Sequence, residues 1–261
     1  MTRGYVVMAH GGYVDMATAL AESIKKTQGE VSGISIITDQ PCDSKLFDHV
    51  IPVGIDITSN TAWKIHNRAF FYDLSPYDET VILDADMLFI DDVSHWWDHF
   101  SKYDMLTTTR VKTYRNDWVV SNPYRKAFIE NNIPNVYSAF TYFKKAELPR
   151  QVFELIKSII VNWDVWTEIY TPEERQTFPS IDLALGLAIK IMGVEAEVTN
   201  TLDYPTFTHM KSGCQGWANY SEDWATHLGV YQYNGNIRLG NHIQSGILHY
   251  VDKQFLEMLK R

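Results

Sequence analysis

The sequence predicts an α/β fold on a mostly parallel central sheet, and three observations carry that expectation. From Tyr5 to Ile90, short apolar runs alternate with stretches of helical spacing in the order β-α-β-β-α-β. The runs are nearly continuous in apolar residues, as in strands covered on both faces. In the last of them, Val81 to Ile90, only Asp84 and Asp86 are charged, near a carboxyl end of the kind where ligands bind in such sheets.

Tyr5 to Ala9 reads as the first strand and ends in the turn signal His10-Gly11-Gly12. Asp15 to Ile24 has helical spacing. Gly33 to Thr38 is a second strand, and Val50 to Val53 a short third. Ala62 to Leu74 carries a helix pattern halted by Ser75-Pro76, and a strand starts at Thr80 and runs through the two aspartates. Ser94 to Phe100 predicts a short helix and Met105 to Thr109 a strand. Arg110 to Arg125 has little periodicity and reads as a surface excursion. Val136 to Phe143 is a strand, Arg150 to Val161 an amphipathic helix, and Ser180-Ile181-Asp182 opens an apolar helix ending at Met192-Gly193. Asn200 to Gly246 is rich in Gly, Asn and aromatics and reads as loop-dominated. Ile247 to Tyr250 is a final strand before a basic helix from Lys253 to Arg261.

With no internal repeat, low-complexity tract or linker, one domain over 1–261 is expected. Within it, 1–100 would be a nucleotide-binding half and 101–261 an acceptor-binding half. No apolar stretch approaches the roughly 18 residues of a membrane span, and no signal-peptide pattern precedes Tyr5. Cys42 and Cys214 lack metal-site spacing and read as reduced thiols. A cytoplasmic protein without a membrane partner is the expectation. The sequence is silent on oligomeric state. The net charge of −9 argues against a nucleic-acid partner, but its distribution is uneven. Leu106 to Arg150 holds eight cations against three anions, net +5, leaving −14 for the rest.

Two carboxylates in an apolar run are costly unless paired or bound to a metal. At positions i and i+2 of one strand they would share a side, and two hard oxygen ligands suit Mg²⁺ or Mn²⁺, which clamps a diphosphate. Helix-capping aspartates offer a plain alternative. A haloacid-dehalogenase-like phosphatase is another, with the first Asp as nucleophile. That motif usually lies nearer the start of a chain, and no later acidic pair completes it here.

Several segments together resemble the GT-A glycosyltransferases, specifically the glycogenin and lipopolysaccharide galactosyltransferase group, glycosyltransferase family 8. They are Met8-Ala9-His10-Gly11-Gly12-Tyr13, Ala62-Trp63-Lys64-Ile65-His66, Ile82-Leu83-Asp84-Ala85-Asp86-Met87-Leu88 and His249-Tyr250-Val251-Asp252-Lys253. The resemblance covers Tyr5 to Ile90 well and the remainder in scattered motifs. The His249 segment is shorter than the family's and lacks its Gly and Pro-Trp. Tyr137-Ser138-Ala139-Phe140 stands where the family has Asn-Ser-Gly, and Asp182 alone remains of an Asp-Gln-Asp.

The resemblance implies a UDP-sugar donor and transfer with retention to a hydroxyl acceptor. It implies Asp84, Asp86 and His249 as metal ligands, and Ala9, Gly11, Tyr13, Lys64, Asp84, Ala85 and Lys253 around the nucleotide-sugar. Asp182 and Lys64 would act at the reacting end. For each, an ordinary role stands beside the functional one: a surface tyrosine for Tyr13, a snorkelling lysine for Lys64, a core histidine for His249, helix-dipole stabilisation for Asp182. Arg110, Lys112, Tyr114, Arg115 and Trp118 interleave cations and rings, a pattern that suits phosphates and unstacked bases, or sugars. A hydroxymethylated base in DNA, as in some phage genomes, is therefore the expected acceptor. The alternatives are a glycan, a lipid-linked sugar or a protein hydroxyl, and, in a different class, a non-catalytic nucleotide-sugar-binding module.

Overall fold

A computed structural model describes residues 1–29, 32–43, 45–54, 64–120, 125–199, 204–217 and 224–259. In chain order its elements begin with β1 (Arg3–Ala9), α1 (Val14–Thr27), β2 (Gly33–Thr38) and β3 (His49–Pro52). A 3-10 helix (Lys64–Phe70) runs into α2 (Phe71–Leu74), followed by β4 (Glu79–Leu83), β5 (Met87–Phe89), α3 (Trp96–Phe100) and β6 (Met105–Thr108). Next come α4 (Lys126–Glu130), β7 (Tyr137–Lys144), α5 (Glu147–Val161), α6 (Trp163–Tyr170), α7 (Ile181–Met192) and α8 (Glu195–Val198). The chain closes with β8 (Thr208–His209), β9 (Val230–Tyr233), β10 (Asn236–Leu239), β11 (His242–Ile243), β12 (Ile247–His249) and α9 (Phe255–Met258).

The central sheet has six strands in the order β3-β2-β1-β4-β7-β6. β7 runs antiparallel to both neighbours, and the other paired strands are parallel. Strand alternation sorts the side chains into two layers. Tyr5, Val7 and Ala9 of β1, with Val81 and Leu83 of β4, meet α1 (Met16, Leu20, Ile24) and α3 (Trp96, Trp97, Phe100). Val6, Met8 and Ile82 face the opposite way, onto α5 and α7. Both faces are covered, which is why these strands read as continuous apolar runs. α5 buries Val152, Phe153, Ile156, Ile159 and Ile160 along one stripe. The core helix α7 buries residues all round, each Leu or Ile contributing about 1.5–3 kcal/mol. It is capped by Ser180 and closed by Gly193 at φ 70°. No helix of the described residues is long and apolar enough to cross a membrane.

Two smaller sheets, β5-β12-β8 and β11-β10-β9, join the expected final strand, β12, to segments read as loop or as one long strand. The run from Thr80 to Ile90 is not one strand: β4 ends at Leu83, and Met87–Phe89 joins β12 in a different sheet. Both parts are buried and apolar, so composition alone did not reveal the corner between them. The described part of the 62–74 helix is mostly 3-10, and residues 62 and 63 lie outside the described residues. The 253–261 helix is confined to Phe255–Met258 among the described residues.

Candidate metal and nucleotide-sugar site

β4 and β1 end at the same edge of the sheet, with Val7 beside Leu83 in a parallel register. Asp84 keeps one backbone bond to the sheet, its N–H donating to Ala139 O at 3.1 Å. The chain then turns, and Ala85 packs its methyl into the core below. The two carboxylates therefore converge by way of a turn rather than by sharing a strand face. β12 lies antiparallel to β5 with His249 beside Met87, and Tyr250 N–H donates to Asp86 O at 3.0 Å. That pairing carries His249 to the turn. One ligand atom each from Asp84, Asp86 and His249 falls within 4.8 Å of the others.

His249 Nε2 lies 3.0 Å from Asp86 Oδ1 and 3.7 Å from Asp84 Oδ2. Arg68 Nη2 lies 2.5 Å from Asp84 Oδ1 and donates to Ser138 O at 3.3 Å. Burial pushes the Asp84 carboxyl up, and this outweighs the opposing pull of Arg68 and His249. Burial also acts on Asp86, but the charge and hydrogen bond of His249 prevail and hold it below its ordinary value. Burial disfavours charge on His249, yet the carboxylates, Asp86 foremost, raise it. His209 is held well below its ordinary value by burial and by the nearby cationic groups, His249 first among them. Two carboxylate oxygens and an imidazole nitrogen converge beside Arg68 and form a donor set that fits a divalent ion. The oxygens suit Mg²⁺ or Mn²⁺, and the imidazole favours the transition ion.

Asp182, at the start of α7, faces the same region. Its Oδ1 accepts from Ser138 N at 2.9 Å and Ser138 Oγ at 2.5 Å, and its Oδ2 from Arg125 Nη1 at 2.6 Å. Arg125 is almost fully buried, donates to Asn135 Oδ1 and Val136 O, and stacks on Phe128 and Tyr137. Burial pushes the Asp182 carboxyl up, but Arg125 and Ser138 together hold it below its ordinary value.

At the end of β1, Ala9 is packed in the core and Gly11 sits at φ 53°, where a side chain would be strained. Tyr13 follows, 38% exposed, with Lys253 Nζ 4.7 Å above its ring. The fold thus brings Tyr13 and Lys253 together. The side chain of Lys64 lies outside the described residues. Arg68, four residues further along that helix, is the cation placed on Asp84. Sequence reasoning missed it, although it lies in the same helical segment as Lys64.

The basic segment is not one face. Lys112 bridges Trp118 across a small loop and Thr208 of β8. Trp118 carries Arg110 at 4.0 Å and Lys112 at 5.0 Å, and Arg115 lies 5.2 Å from the Tyr114 ring. Arg125 is drawn inside, and Lys144 and Lys145 donate to the carbonyls of Ser101 and Tyr72. Arg150 pairs with Glu147. What faces outward as a set is the 110–118 loop.

No known family signature matches this chain, and no curated protein sequence does. Among solved structures, apo mouse xyloside xylosyltransferase 1 aligns at TM-score 0.50 and 11% identity, over 78% of this chain and 86% of that one. The two proteins share a fold. The expected GT-A-like sheet, with helices on both faces, is met. The apo WbbM bifunctional glycosyltransferase matches at TM-score 0.42 and 13% identity over 68% of this chain. Apo GlyE of Streptococcus pneumoniae TIGR4 matches at 0.44 and 12% over 78%. The chain spans only 38% and 46% of those two proteins.

Proposed function

We propose that this protein is a metal-dependent glycosyltransferase that moves a sugar from a UDP-sugar to a hydroxyl acceptor. The observation that carries the reading is the convergence of Asp84, Asp86 and His249 at the carboxyl edge of β4 in a glycosyltransferase fold. These three residues would hold Mn²⁺ or Mg²⁺. The ion, when bound, supplies Lewis-acid charge to the diphosphate of the leaving nucleotide. Tyr13 would offer a ring to the base, and Lys253, whose ammonium lies over that ring, would offer a cation to the phosphates. Arg68 positions Asp84.

Asp182 has both oxygens engaged by Ser138 and Arg125, which makes it a poor nucleophile and a suitable rigid acceptor for a sugar hydroxyl. Residues 1–100 would bind the nucleotide and 101–261 the acceptor, with His249 crossing from the second half into the first. For the acceptor we propose the surface beside the 110–118 loop, next to β8. Its cations and rings keep a hydroxymethylated DNA base as the first candidate, with a glycan, lipid-linked sugar or protein hydroxyl as the alternative.

Hydrolysis of UDP-sugars with and without Mn²⁺ tests the reading. Metal-dependent release of UDP, lost in Asp86→Asn, is expected. Turnover of a plain phosphate ester instead would identify a phosphatase, and binding of UDP-sugar without turnover a non-catalytic module.

A further inference from the structure

His209 sits on β8 directly beside His249 on β12, the two residues paired in a parallel register. Their ring centroids are 4.8 Å apart, and Nδ1 of one lies 3.1 Å from Nδ1 of the other. Both side chains are buried, with Phe207 edge-on to both rings and Tyr137 edge-on to that of His209. Two facing Nδ1 atoms at this distance require one proton between them: one nitrogen donates and the other accepts. The Nε2 of His249 points the opposite way, toward Asp86 and Asp84. For that Nε2 to offer a lone pair to a cation, the ring must carry its proton on Nδ1. The atom that receives this hydrogen bond is Nδ1 of His209.

We infer that His209 is a positioning residue that fixes the tautomer and ring orientation of His249, so that His249 presents Nε2 to a divalent ion; this rests on the metal-site reading above. His209 would itself be the Nε2–H tautomer and would not be a fourth ligand through Nδ1, because that nitrogen is committed behind His249. Ligand histidines are commonly oriented through their other nitrogen by a carboxylate or carbonyl, and loss of that partner weakens the metal about 10–100-fold. Here a second imidazole fills the position. The neighbouring backbone is tied as well: Met210 N–H donates to His249 O at 2.9 Å and His209 N–H to Lys112 O at 2.9 Å.

The test is Mn²⁺ titration of the full chain at saturating UDP, followed by the electron paramagnetic resonance of free Mn²⁺, in wild type, His209→Leu, His209→Asn and Asp86→Asn. His209→Leu should weaken Mn²⁺ by about 10–100-fold. His209→Asn, whose amide oxygen keeps an acceptor near the Nδ1 position, should recover most of the affinity. Equal affinity in wild type and His209→Leu would overturn the inference alone. So would equal losses in the Leu and Asn variants. Wild type that takes up no Mn²⁺, or binds it as well after Asp86→Asn, would overturn the metal site and this inference with it. Imidazole ¹⁵N spectra of the wild type with Mg²⁺ decide independently of how the variants fold: a protonated Nε2 on His209 and a protonated Nδ1 on His249 support the inference, and the reverse assignment refutes it.

Discussion

Asp84 and Asp86 come together because the chain turns a corner between two sheets, with Arg68 on one carboxylate and His249 on the other. The pair itself was legible in the sequence, since charge inside an apolar run demands a partner. Its partners were less so. Arg68 lay on a helix whose earlier Lys64 drew attention, and His209 lay in a segment without periodicity. Asp182 makes a prediction at this scale. Arg125 and Ser138 hold its carboxyl below the ordinary 3.8. Its folded-state value is depressed, so its contribution to stability is full above 3.8 and drains as pH falls through the lower folded value. Asp182→Asn, which leaves Arg125 buried without its counter-charge, should cost about 3 kcal/mol at pH 6. In denaturant titrations the gap to wild type should narrow below pH 4. A gap unchanged down to pH 2 would mean the ion pair does not carry this stability.

Elements were most legible where one hydrophobic period ran uninterrupted. β2 matches its expected span, Gly33–Thr38, and α1 extends the expected helix by one turn or less at each end. β8 was not read, because a strand of two residues carries no period to detect, and β5 was read as the continuation of β4. The 3-10 geometry of Lys64–Phe70 was likewise read as α-helix, since both conformations place side chains at similar spacing. α7 supplies the element-scale prediction. Gly186 faces the segment before β7 so closely that a Cβ would lie 2.8 Å from Ile133 Cγ2 and 2.9 Å from Pro134 O. Gly186→Ala should therefore lower stability by about 1–3 kcal/mol despite the better helix propensity of alanine. Because α7 begins with Ile181 and Asp182, the displaced helix should also lower turnover. A urea midpoint equal to or above wild type would contradict the packing argument.

For the molecule as a whole, the α/β sheet and the edge that bears the site followed from the alternation of strands and helices along the chain, whereas the placement of the basic residues did not. A net charge of +5 over Leu106 to Arg150 suggested one surface, but the fold draws Arg125 inside and ties Lys144 and Lys145 to carbonyls. If DNA is the acceptor, binding must depend on the 110–118 loop. Reversing Arg110, Lys112 and Arg115 to Glu should then weaken a duplex gel shift and flatten its salt dependence. Binding that survives the reversal would move the acceptor elsewhere. The central claim is a divalent-metal, UDP-sugar site at Asp84, Asp86 and His249, and a thermal-shift titration tests it most directly. With Mn²⁺ present, UDP at about 100 times its dissociation constant contributes about 2.7 kcal/mol, which raises Tm by roughly 5–10 °C in a chain of this size. The account predicts that rise in wild type, little effect from UDP without metal, and none in Asp84→Asn or Asp86→Asn. An equal rise in the two variants, or stabilisation by UDP that ignores Mn²⁺, would contradict it.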